Sequence, residues 1–137
     1  MTTSKQETLT ALFKAARIVP VLTINRIEDA VPLARALVAG GVRMLEVTLR
    51  TPVAIEAAKA IMSDVPDAIV GIGTILNADD LARARDLGAA FGISPGATPE
   101  LLKADPQRPS VRAWHRHRLR ADAGPGPRFY DREIFPG

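Results

Sequence analysis

Cysteine is absent from this 137-residue chain, which excludes a disulfide framework and thiolate chemistry. No stretch approaches the roughly 20 apolar residues that a membrane-spanning helix needs. The N-terminal stretch MTTSKQETLTALFKAARIVP lacks the charged start, apolar run and small-residue cleavage site of a secretory signal. The expectation is a soluble cytoplasmic protein with no membrane partner. Histidine is missing from the first 104 residues. A serine there has no histidine to activate it, which counts against a hydrolase triad.

Charge is present in both signs but unevenly placed. Up to Ala104 there are 11 basic and 11 acidic residues, whereas from Asp105 onward there are 7 and 4. The whole net charge of +3 therefore sits in the last quarter of the chain. So do both histidines, the single Trp and Tyr, and five of the eleven prolines. This shift divides the chain into residues 1–104 and a tail, residues 105–137.

Within residues 1–104 two patterns alternate. Short β-rich runs span Ile18–Ile24, Met44–Leu49, Ala68–Ile75 and Ala90–Gly96. Between them, Ala30, Leu33, Ala34, Leu37 and Val38 share one helical face, as do Ile55, Ala58 and Ile61. Thr51-Pro52, Asn77 and Thr98-Pro99 signal helix starts, and Gly40-Gly41 and Gly88 signal stops. Strand starts recur every 22 to 26 residues, which predicts four βα units and a parallel sheet. Both a doubly wound sheet and a (β/α)₈ barrel fit that alternation. In the second strand Met44, Glu46, Thr48 and Arg50 share a face. A face carrying Glu and Arg suits the interior of a small barrel near its catalytic mouth. A doubly wound sheet wants apolar residues on both faces.

Glu46 lies mid-strand between apolar neighbours. It suits a general acid/base tuned by partial burial, or equally a structural carboxylate paired with Arg50 or Arg43. Arg50 is placed to clamp a carboxylate, or is an ordinary surface arginine. Gly71-Ile72-Gly73-Thr74 is no dinucleotide fingerprint, since the third glycine is missing. Its glycines let either a helix or a ligand approach the backbone closely, with the Thr74 hydroxyl as donor. Ser94-Pro95-Gly96 repeats the theme one strand later.

The segments ARIVPVLT, AGGVRMLEVTLRTP, VGIGTILN and FGISPGATPELL resemble those of the 2-keto-3-deoxy-6-phosphogluconate (KDPG) and 4-hydroxy-2-oxoglutarate (KHG) aldolases, in order and spacing. The resemblance runs to about Lys103. It implies a (β/α)₈ (TIM) barrel, with only the first four units present here, and a homotrimer in the intact family. It implies a class I, Schiff-base aldolase with no metal or other cofactor. The substrate would be a phosphorylated keto acid, with pyruvate as one product. By the same resemblance Glu46 shuttles protons, Arg50 and Thr74 hold the pyruvyl carboxylate, Pro95 forms a pocket wall and Arg17 lies near the substrate. The family's imine-forming lysine belongs to a KFFP motif on the sixth strand. That motif is absent, and none of Lys5, Lys14, Lys59 and Lys103 falls at the end of a predicted strand.

The tail has an explanation in the genetic code. With suitable synonymous codons, reading each triplet from its second base turns the stretch from Ala113 into Pro-Gly-Ile-Ala-Thr-Ala-Ser-Glu-Leu-Met-Leu-Ala-Leu. The stretch Arg128 to Pro136 becomes a string ending in Lys-Phe-Phe-Pro, its lysine codon straddling Glu133 and Ile134. These strings resemble the family's next strand, helix and lysine strand. The expectation is a one-base change of frame between about Lys103 and Arg108, and an irregular tail without strands. The competing reading is a non-enzymatic nucleic-acid-binding module. It would use the basic run Arg112 to Arg120 with Trp114, and His115 and His117 would be candidate metal ligands.

Overall fold

A computed structural model describes residues 5–96, 98–104 and 133–136. The elements run α1 (Lys5–Ala15), β1 (Val21–Leu22), α2 (Ile27–Ala39), β2 (Met44–Thr48), α3 (Ala54–Asp64), β3 (Ile69–Gly73), α4 (Ala78–Asp86), β4 (Phe91–Ser94), α5 (Pro99–Ala104) and β5 (Glu133–Pro136). The sheet order is β1-β2-β3-β4-β5, with the first four strands parallel. The βα alternation therefore folds as the spacing predicts. No helix among the described residues is long and apolar enough to cross a membrane.

Turn chemistry sets the helix ends. Gly41 and Gly88 adopt φ of 87° and 80°, the left-handed region that side chains resist. Beyond Gly41, Val42 N–H reaches back to the Leu37 carbonyl at 2.9 Å, and beyond Gly88, Ala89 N–H reaches Ala84 at 3.1 Å. At the start of α4 the Asn77 side chain accepts from Asp80 N–H at 2.8 Å, and the Asp80 carboxylate accepts from Leu76 N–H at 3.1 Å. Asn77→Ala is expected to cost about 1 kcal/mol, the usual worth of an N-cap, and a urea melt measures it. Thr98 caps α5 by accepting from Leu101 N–H at 3.2 Å. Thr51 does not cap α3, whose N-cap is Val53. Its hydroxyl instead donates to the Ile24 carbonyl at 2.6 Å, tying the β1 end to the β2 end.

The outer face of the sheet packs on α2 to α5. Leu45, Val47, Val70 and Ile72 meet small helical residues, Ala30 and Ala34 of α2 and Ala54, Ala57 and Ala58 of α3. Alanine lets helix backbones approach the sheet closely. Leu33, expected on the buried face of α2, is 39% exposed, because the contact is made by the alanine ridge one step around the helix.

The inner face carries a second, smaller apolar cluster. Met44, Phe91 and Ile93 form it, with Leu12 and Phe13 of α1, and Ala16 just after that helix, laid against them. The Phe13 and Phe91 rings meet edge to face, 5.1 Å apart at 75°. Met44, Glu46 and Thr48 of the polar face expected for β2 are buried, as is the opposite face, whereas Arg50 falls beyond the strand and is exposed.

Two expectations fail at the sheet edges. β1 is two residues long rather than seven, since it has one neighbour and Pro20 has no N–H to offer. The tail, expected to contain no strand, supplies β5, antiparallel to β4 from Phe91↔Pro136 to Ser94↔Glu133. The β4 edge otherwise leaves a row of backbone donors and acceptors unpaired, and this short segment satisfies them. Its proline sits at the strand's end, where a missing N–H is tolerated. Residues 105–132, including the basic run and both histidines, lie outside the described residues.

Candidate active site

Parallel strands present their C-terminal ends at one rim, and four of them do so here. Val21, Glu46, Gly71 and Phe91 stand in register across β1 to β4. Thr48 and Gly73 form the next row toward that rim. Glu46 is only 3% exposed, in the middle of β2. Its carboxylate leans toward the rim and fills the space above Gly73, where a Cβ would overlap Oε1, Cδ and Cγ of Glu46. Gly71 does the same for the Phe91 ring. The glycines of β3 therefore make room for neither a helix nor a ligand. They admit side chains from the two flanking strands.

Thr74 follows Gly73 and has φ of 62°, the one non-glycine residue with positive φ among the described residues. For a β-branched residue this is a strained state costing on the order of 1–3 kcal/mol. The flanking peptides hold it there. The Gly73 carbonyl accepts from Leu49 N–H at 2.9 Å, and Ile75 N–H donates to the Ile93 carbonyl at 3.1 Å.

The other expected residues separate into two groups. Arg50 lies in the turn just after β2 and Pro95 just after β4, both exposed and both at the rim. Arg17 lies at the opposite end. It precedes β1 by several residues and lines a cavity of about 450 Å³ with Gly41, Val42, Met44 and Ile69, at the N-terminal ends of β2 and β3. The structure does not bring Arg17 together with Glu46. Arg43 is also at that end, where its Nε donates to the Asp67 carbonyl at 3.0 Å. Ser94 is fully buried, and its hydroxyl donates to the Gly96 carbonyl at 2.6 Å, so it braces the β4 turn. Lys5 and Lys14 lie on α1, Lys59 on α3 and Lys103 on α5, so no lysine ends a strand. No cluster of His, Asp and Glu among the described residues could hold a metal ion.

Sequence reasoning missed the threonines of the rim. Thr48 donates to the Leu22 carbonyl at 2.9 Å, and Thr23 lies 3.2 Å from Thr48, hydroxyl to hydroxyl. The β-branched residues at the strand ends were visible, but their pairing depends on the β1–β2 register.

A buried carboxylate turned toward the rim of a parallel sheet, lying over a β3 strand whose glycines make room for it, is the arrangement that the LEVTLRTP and GIGT segments build. Comparison with protein families gives a match to the model "KDPG and KHG aldolase" over residues 9–110. The chain belongs to this family. The 2-dehydro-3-deoxy-phosphogluconate aldolase of Dickeya dadantii is 56% identical over 102 residues, 74% of this chain and 46% of that one. The KHG/KDPG aldolase of Escherichia coli K12 is 59% identical over 87 residues, 64% of this chain and 41% of that one. Among solved structures, the aldolase of Zymomonas mobilis ZM4, determined with 3-phosphoglycerate, is 52% identical with a TM-score of 0.66, over 70% of this chain and 46% of that one. The KDPG aldolase of Legionella pneumophila holds pyruvate as a covalent carbinolamine. It is 43% identical with a TM-score of 0.68, over 77% of this chain and 50% of that one. The chain thus spans less than half the length of these curated relatives. Its four parallel βα units form a partial barrel.

Proposed function

We propose that this chain carries the proton-transfer and carboxylate-binding part of a class I aldolase site, and that as written it cannot form the imine. The reaction is cleavage of 2-dehydro-3-deoxy-6-phosphogluconate to pyruvate and glyceraldehyde 3-phosphate, with 4-hydroxy-2-oxoglutarate as a second substrate. A lysine amine condenses with the keto carbon and releases water. The protonated imine then draws in the electrons of the bond between the α carbon and the hydroxyl-bearing β carbon as that bond breaks, which leaves an enamine and the aldehyde. Glu46 takes the hydroxyl proton of the departing aldehyde and returns it to the enamine carbon, and hydrolysis frees pyruvate. Arg50 and Thr74 hold the pyruvyl carboxylate, and Pro95 forms a wall. Arg17 is left out, since it sits at the other end of the strands.

The observation that carries this reading is the Glu46 carboxylate, buried and turned toward the rim over Gly73. Against imine formation stands the placement of all four lysines on helices. The family match also stops at residue 110, close to the position inferred for the change of frame. A phosphorylated substrate, unable to cross membranes, fits a cytoplasmic setting. The family's trimer is proposed for the intact protein and not for this chain.

Incubation of the purified chain with pyruvate and borohydride tests the inactivity. The expected mass spectrum shows no adduct, while an intact relative treated alongside is labelled. An adduct on any of the four lysines overturns it. The account of the tail is tested by the nucleotide sequence across the Lys103 to Arg108 codons. It fails if the shifted frame downstream does not spell barrel strands.

A further inference from the structure

Thr23 follows β1 at the rim, is exposed, and lies beside Thr48. Its oxygen is 3.2 Å from Thr48 Oγ1, and Thr48 Oγ1 is 2.9 Å from the Leu22 carbonyl oxygen. A carbonyl only accepts, and a threonine hydroxyl has one proton to give. Thr48 therefore donates to Leu22, and the proton between the two threonines belongs to Thr23. Thr23 makes no other hydrogen bond among the described residues. The result is an exposed hydroxyl whose donor is committed to Thr48 and whose two lone pairs both remain able to accept. Such a group accepts from a ligand and cannot donate to one. It favours a ligand hydroxyl over an ether or carbonyl oxygen, which a freely rotating hydroxyl would not do.

We infer that Thr23 is a specificity residue that accepts a hydrogen bond from a hydroxyl group on the keto acid, on the carbons beyond the pyruvyl unit. The inference rests on the proposed reading of the rim as a keto-acid site. Val21 lies on the same inner face one row below and offers only a hydrocarbon surface, so discrimination at the end of β1 falls to Thr23.

The test is a chemical-shift titration of the full chain with three probes: 2-oxopentanoate, 5-hydroxy-2-oxopentanoate and 5-methoxy-2-oxopentanoate. The hydroxy acid is expected to bind about three- to tenfold more tightly than the other two, the range of one net hydrogen bond. Thr23→Val should abolish that preference, and Thr23→Ser should keep it. Equal affinities in the unaltered chain, a methoxy acid matching the hydroxy acid, or a preference that survives Thr23→Val would each overturn the inference. Arg50→Ala separates the two layers. If it leaves 2-oxopentanoate binding unchanged while Thr23→Val still removes the preference, the carboxylate reading of Arg50 fails and the role of Thr23 stands. No binding of any probe sinks both.

Discussion

Phe91→Ala is expected to destabilise the chain by about 3–5 kcal/mol, the range for deleting a buried aromatic ring. The ring is fully buried on the inner face, paired edge to face with Phe13 and lying in the space that Gly71 leaves free. Alanine would remove the transfer energy of the ring, the aromatic pair and the filling of that space at once. Urea unfolding followed by circular dichroism measures the loss. A second variant identifies the mechanism. Gly71→Ala alone overpacks the site and should cost about 1–3 kcal/mol. In the Phe91→Ala background the new methyl group meets a cavity in place of a ring, so most of that cost should vanish. Additive losses would mean that Phe91 is not the group resting over Gly71.

Gly73→Ala is expected to cost about 1–3 kcal/mol through the same kind of overlap, here with a carboxylate. The added Cβ would fall on Oε1, Cδ and Cγ of Glu46, so the side chain must leave its position or the strand must shift. A carbon–carbon clash could be relieved by a small rotation, but Glu46 is buried and its neighbours on β2 are buried on both faces. Glu46→Ala removes the obstacle. Gly73→Ala should then be close to neutral in the Glu46→Ala background, and the coupling energy from the four melts reads the contact directly. If Gly73→Ala is as costly without Glu46 as with it, the carboxylate does not occupy the space above β3. The proposed proton shuttle would then lose its position.

Local signals in the sequence were read well where the physics is local. Asn77, Thr98, Gly41 and Gly88 each act within a few residues of themselves, through a cap bond or a left-handed turn. The βα alternation is equally plain, because period and turn residues repeat. Several failures involve a partner far along the chain. Thr51 looked like a cap but bonds to Ile24, 27 residues earlier. Gly71 and Gly73 read as a helix or ligand approach, whereas their neighbours are Phe91 and Glu46. Thr23 was passed over because its proton is assigned only once the bond between Thr48 and Leu22 is known. Arg17 was grouped with Glu46 by resemblance, and register separates them. β1 ends in register with the middle of β2, which leaves Arg17 beyond the other end of the sheet. The β5 strand could not be foreseen from composition, since an edge selects its cover by backbone pairing as much as by residue type.

The glycine pair of β3 also shapes how this family can drift. Positions 71 and 91 share one volume, and positions 46 and 73 share another. A larger residue at 71 becomes tolerable only after the ring at 91 has shrunk. No such trade exists at 73 while the carboxylate at 46 is under selection. Sequence change at 71 should therefore follow change at 91 across lineages, while 73 stays fixed for as long as 46 remains glutamate.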